Sequence, residues 1–143
     1  MTNSTAAQQL LTQFINGYNA RDMQTTLGLF KEDFSGWGSA KDEYWLGKSA
    51  METQLARDWS QAEFGEIIVN FFAPNSNDNW AAADCSVKLV VSGQALYVEH
   101  LRGSIVADNT EGEWKIAHFH TSFPDARNED GSSFPSISST CFE

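Results

Sequence analysis

Positive charge is scarce in this sequence: nine Lys and Arg stand against nineteen Asp and Glu among 143 residues, a formal net charge of −10. A field of that sign repels the phosphates on which nucleic-acid affinity mainly depends, and it repels the anionic leaflet of a membrane. Neither is expected as a partner. Cysteine is nearly absent, with Cys85 inside a strand-like run and Cys141 in the tail. Thiols so placed form no framework of bridges and no metal-type pair, and both are read as buried or idle. No stretch approaches the roughly 20 apolar residues of a membrane span. The opening MTNSTAAQQLLTQF lacks the basic start and continuous apolar run of a signal peptide, so a cytoplasmic protein is expected. Also missing are H-E-x-x-H, C-x-x-C, G-x-S-x-G, a Cys/His pairing and a phosphate-cradling glycine loop. Nucleophilic catalysis and nucleotide binding are therefore unsupported, and no metal or cofactor is expected.

What remains is ample material for one core. The chain is 41% hydrophobic and 13% aromatic, of modal single-domain length, without internal repeats or a dividing linker. Leu10, Leu11, Phe14, Ile15 and Tyr18 form one stripe of an amphipathic helix over 5–19, opened by Thr5 with Gln8 three residues on. Asp22 can cap a short second helix with Met23, Leu27 and Phe30 on one side. FSGWGSAKDEYWLG reads as a loop leading to a short strand at 44–46. Ser49 with Glu52 predicts a capping box for a third helix over 49–60, lined by Met51, Leu55 and Trp59. From Phe64 onward, β-rich runs alternate with Asn/Asp/Ser/Gly turns, the pattern of antiparallel hairpins. Helices first and a meander afterwards predict an α+β domain over 1–124 with helices on one face of the sheet. A Ser-rich tail over 125–143 is expected to dock on the domain or its partner.

Three segments carry a resemblance: Gln9-Leu10-Leu11 through Tyr18-Asn19-Ala20-Arg21-Asp22, Gly36-Trp37-Gly38-Ser39 through Glu43-Tyr44-Trp45-Leu46-Gly47, and Glu113-Trp114-Lys115-Ile116-Ala117-His118-Phe119-His120-Thr121-Ser122. Over residues 5–124 the chain resembles the SnoaL-like branch of the nuclear transport factor 2-like superfamily, which has the ketosteroid isomerase-like fold. The last segment, preceded by Glu99-His100-Leu101-Arg102, is similar to the association domain of calcium/calmodulin-dependent kinase II. The resemblance implies a cone-shaped cystatin-like fold, with three helices on a strongly curved, mostly antiparallel sheet, a pocket at one end, and homodimers formed through the sheet. That fold hosts isomerases, cyclases, dehydratases, binding proteins and oligomerisation hubs, so function must be argued from the site.

Arg102 and Lys88 lie within apolar strand runs and match basic pocket positions of the association domain. They could grip a carboxylate or phenolate, or Arg102 could pair with Glu99 or Asp84 while Lys88 points to water. A third basic pocket position falls on Thr121. His118 and His120 share one face of a strand and could ligate a metal or act as a base. If Phe119 and Thr121 face the pocket, as the resemblance implies, both histidines face the opposite, interface side, and Trp114 is structural. Isomerase-like relatives use a pocket carboxylate, but the corresponding loop here reads Gly36-Trp37-Gly38-Ser39. That leaves Asp42, Glu43 and His100 as weak catalytic candidates. Trp37, Tyr44, Trp45 and Trp59 are expected among the pocket aromatics. The leading reading is a homodimeric pocket protein for a small, aromatic or carboxylate-bearing ligand. The alternatives are a metal-free isomerase, cyclase or dehydratase acting on a polyketide- or steroid-like substrate, and an oligomerisation module with a vestigial pocket.

Overall fold

The first helix begins where its capping residues dictate. In the structure, a computed structural model that describes residues 4–136, Thr5 Oγ1 accepts from the Gln8 amide, and the Thr5 amide donates to Gln8 Oε1. Helix α1 (Ala6–Ala20) buries Leu10, Leu11, Phe14 and Ile15. Its end is marked by Arg21 in the left-handed conformation (φ 55°), whose guanidinium donates to the Trp59 and Ala62 carbonyls and so ties this end to the third helix. Asp22 caps α2 (Met23–Leu27) by accepting from the Thr25 amide.

Helix α2 stops before Phe30, which instead opens β1 (Phe30–Trp37), so the expected helix reaching Phe30 and the expected loop from Phe34 are both corrected. Phe30 and Phe34 are both buried, as residues four apart on one strand face are, but Glu32 between them is exposed, because the pairing of β1 with its neighbour shifts register between Phe30 and Ser35. A bulge of this kind breaks the two-residue alternation and imitates helical spacing. After β2 (Tyr44–Leu46) comes α3 (Lys48–Gln61). The expected Ser49/Glu52 capping box is not made. Gly47 holds the cap position with φ 85°, and its amide is tied to the Phe34 carbonyl at 2.8 Å, which starts the helix early and leaves Ser49 inside it.

The strands β3 (Phe64–Phe72), β4 (Trp80–Val91), β5 (Gln94–Asp108) and β6 (Lys115–Ser122) complete one six-stranded sheet in the order β2-β1-β6-β5-β4-β3. All neighbours are antiparallel except β1 and β6. Register shifts at Val69/Phe71, Cys85/Val87 and Val106/Ala107 bend the strands and curve the sheet around the helices. The core lies between them, centred on Phe14, Phe30, Phe34 and Phe119, with Phe14 and Phe119 ring centroids 4.7 Å apart. This is the α+β, cystatin-like architecture that the resemblance implies. Beyond β6 the described residues run in turns, where Arg127 pairs with Asp125 at 2.6 Å. The end of the tail expected to dock, residues 137–143 with Cys141, lies outside the described residues. No helix among the described residues is long and apolar enough to cross a membrane.

Candidate functional site

Because α1 and α3 cover only part of the sheet's inner face, a cavity of about 340 Å³ stays open between them and the strands. Met51, Gln54, Leu55 and Asp58 recur at helical spacing on α3 and all border it. Phe14 and Tyr18 reach it from α1 and Trp45 from β2. Val87, Leu89 and Val91 alternate along β4, with Leu101 from β5 and Phe119 and Thr121 from β6. The indole of Trp45 fits against β1 only because its cross-strand partner is Gly36: a Cβ there would overlap both the indole and the Phe119 carbonyl. Gly38 likewise makes room for the Glu43 side chain.

One end of this mainly apolar space is polar. Tyr18 donates its hydroxyl to Asp58 Oδ2 at 2.7 Å, and Gln54 Nε2 donates to Asp58 Oδ1 at 2.6 Å and to Glu43 Oε2 at 2.9 Å. Gln54 is 8% exposed, and its carbonyl accepts from Trp45 Nε1 at 3.1 Å. Every polar atom of the amide is thus engaged, and the amide fixes the spacing of the two carboxylates. Glu43 is further held by the Ala40 amide at 3.1 Å and by Arg57 at 3.3 Å, while Arg57 also binds Asp42 at 2.8 Å. The guanidinium holds the Asp42 carboxyl below its ordinary range. Burial first, and then the charge and hydrogen bond of Asp58, push the Tyr18 phenol well above its ordinary value of 10. Tyr18 therefore remains a proton donor at neutral pH. A carboxylate with oriented donors in an apolar enclosure can bind a polar group or accept a proton.

Of the residues singled out in the sequence, Glu43, Trp45, Phe119 and Thr121 border this cavity. The others do not. Arg102 points to the opposite, outer face of the sheet, is 55% exposed, and places Nε 3.7 Å from Asp84 Oδ2. Its side of β5 is set by pairing with Asp84, and Asp84 lies on the outer side of β4. Lys88 is exposed on that face beside Tyr97, its partner across the ladder. Trp37 and Tyr44 stack on each other at 4.2 Å on the outer face. Trp59 packs against Tyr18 from outside the cavity, one helix position beyond Asp58. Asp42 is engaged by Arg57, and His100, with φ 63° at the β4–β5 bulge, sets Nδ1 3.1 Å from Asp84 Oδ2. His118 bonds to Ser35 at 3.0 Å, His120 is exposed on the outer face, and Trp114 packs half-buried on the core. Among the described residues no three His, Cys, Asp or Glu gather as metal ligands.

The sequence reading missed Asp58, Gln54 and the role of Tyr18. A signal was present: Gln54 and Asp58 interrupt the apolar stripe of α3 at i+3 and i+7 from Met51, whereas the reading followed Met51, Leu55 and Trp59.

Residues 7–126 match the family model described as a SnoaL-like domain. The chain belongs to the SnoaL-like family. Among curated proteins none matches its sequence. Solved structures share the fold. An LEH-like epoxide hydrolase of M. tuberculosis is 13% identical with TM-score 0.68, covering 83% of each chain. A protein of unknown function with a cystatin-like fold from Nostoc punctiforme is 11% identical with TM-score 0.65, covering 85% of this chain and 90% of that one. A protein with a ketosteroid isomerase-like fold from Catenulispora acidiphila, in complex with trimethylamine, is 12% identical with TM-score 0.66, covering 84% and 87%. At such identities the SnoaL-like fold is what they share with this chain.

Proposed function

We propose that this SnoaL-like protein binds a small, mainly apolar organic molecule in the cavity between α1, α3 and the sheet, and works in the cytoplasm as a homodimer without nucleic-acid or membrane partners. The observation that carries the reading is the cavity's composition: walls of Phe14, Trp45, Leu101 and Phe119, with one polar end built from Asp58, Tyr18, Gln54 and Glu43. Apolar walls with a few fixed polar groups are the usual form of a small-molecule site. The homodimer rests on the outer face of the sheet, where Leu46, Trp37, Tyr44 and Val106 are exposed.

A second reading makes the protein an enzyme of the isomerase or dehydratase kind. What favours it is a carboxylate, Asp58, held by a phenol and an amide inside that enclosure, a group of the type that takes a proton from carbon. One compound tests both readings. 2-Tetralone is a bicyclic ketone with acidic α-hydrogens, and its melting-temperature shift and its α-hydrogen exchange in D2O are measured together. Binding is expected to raise the melting temperature of wild type and not of Leu89→Trp, which fills the cavity from β4; saturation at 100 times Kd corresponds to roughly 2.7 kcal/mol. Exchange accelerated by wild type and lowered about 100-fold or more in Asp58→Asn establishes the enzyme. Binding without accelerated exchange restricts the protein to a binding role, and equal shifts in wild type and Leu89→Trp sink the pocket assignment.

A further inference from the structure

The ligand's charge can be read from the same cavity; the argument deepens the binding reading above and depends on it. Glu43 and Asp58 are the acidic side chains that border the cavity, and among the described residues no Lys, Arg or His does. The other polar lining groups, Ser39, Gln54, Gln61, Tyr18 and Thr121, are neutral at pH 7. The two carboxylates are not equivalent. Glu43 is offset by Arg57 at 3.3 Å. Asp58 accepts from two uncharged donors, Tyr18 and Gln54, one on each oxygen, and among the described residues it makes no direct salt bridge, the Arg57 guanidinium acting on it only through space. A carboxylate offers about four acceptor sites, so both Asp58 oxygens keep capacity for a further donor.

An anionic ligand would bring a third negative charge into an enclosure already holding two, on a protein of net charge −10. A cation would meet an unpaired carboxylate and the ring faces of Phe14, Tyr18, Trp45 and Phe119, which also attract positive charge. We propose that the cavity selects an organic ammonium ion, an amine carried on an apolar ring or chain, with its N–H groups on Asp58 and its body against the aromatic wall. The carboxylate-bearing ligand expected from Arg102 is thereby replaced, since Arg102 lies on the outer face of the sheet. In this role Asp58 shares the ammonium proton and does not remove one from carbon.

Calorimetric titration of the full chain with three molecules of one shape, 2-naphthylmethylamine, 2-naphthalenemethanol and 2-naphthoate, tests the proposal at pH 7. The amine is expected to bind about tenfold tighter than the alcohol, because both can donate to the Asp58 carboxylate but only the ammonium adds charge attraction to that bond, and the carboxylate is expected not to bind. Asp58→Asn should remove the gap between amine and alcohol while leaving alcohol binding in place. Should that variant not fold, Thr121→Lys, at the half-buried edge of the cavity, should weaken the amine and admit the carboxylate. Alcohol and amine of equal affinity, or a carboxylate as tight as the amine, overturns the charge preference alone. If none of the three binds folded wild type, the cavity itself is not a ligand site and both readings fall together.

Discussion

Tyr18 and Asp58, the pair that sets the polar end of the cavity, lie 40 positions apart in sequence and 2.7 Å apart in space. Tyr18→Phe keeps the ring that packs on Phe14 and Trp59 and removes only the donor. It is expected to lower stability by about 1.5–3 kcal/mol at pH 7, the range for a hydrogen bond to a charged acceptor. The pH dependence follows from the direction of the shift. The folded phenol titrates above the unfolded value of 10, so its stabilisation is complete below pH 10 and is lost as pH rises beyond it. Urea unfolding of both proteins at pH 7 and above pH 10 should show the wild-type advantage shrinking in alkali; an advantage that persists unchanged would remove the Tyr18–Asp58 bond from the account. Phe119 and Thr121 are legible in the sequence as cavity neighbours through the family resemblance, Trp45 through its aromatic loop beside the expected mouth, and Glu43 only as a catalytic candidate near that loop. The sequence could not make Asp58 legible in the same way, since the pairing with Tyr18 is created by the packing of α3 on α1.

At the scale of the element, strand register decides which residues can act together. Arg102 and Lys88 look buried in sequence because their strands are apolar on both sides of them, yet Lys88 alternates with Val87 and Leu89, which line the cavity, and the register of β5 on β4, offset by one residue at the bulge beside Leu101, sets Arg102 opposite the outward Asp84. One-residue offsets of this kind exchange the two faces of a strand, and nothing in composition specifies them. The starts of α1 and α2, by contrast, are legible almost to the residue, because capping chemistry at Thr5 and Asp22 is local, whereas the end of α2 and the cap of α3 depend on the strands they adjoin. The outer face shows the consequence of register most clearly. Leu46 on β2, Ser35 on β1, His118 on β6, Val106 on β5 and Trp80 on β4 form one row across the sheet, with Tyr44, Trp37, His120 and Ser104 in the next. Leu46 is 63% exposed, and a face of this kind is suited to a second copy of the chain. The double variant Leu46→Lys/Val106→Lys is expected to weaken the dimer by about 100-fold or more through unpaired like charges, with the cavity and its ligand affinity retained. Sedimentation velocity reads this directly, and a wild-type chain that stays monomeric at high concentration would rule out the dimer.

At the scale of the whole molecule, the curved sheet and the three helices leave a space that neither layer closes, and the chain's carboxylates are distributed accordingly. Asp42 is bound by Arg57 near the loop, Asp84 is satisfied on the outer face by Asn70 and His100, and Asp108 is held down to about 2 by Lys31 and the Thr110 amide. Asp58 is the carboxylate that combines an inward position with neutral partners. On the proposed function it is this inner space, and not the aromatic outer face, that receives the ligand. The five tryptophans make the claim directly measurable, because Trp45 borders the cavity with its Nε1–H on Gln54 whereas Trp37 is stacked on Tyr44 outside. In a titration of 15N-labelled protein with 2-naphthalenemethanol, with the Trp45 indole signal assigned through Trp45→Phe, that signal is predicted to move and broaden while the Trp37 signal holds its position. A Trp37 signal that moves with Trp45 unchanged would contradict the account and transfer the binding site to the outer face of the sheet.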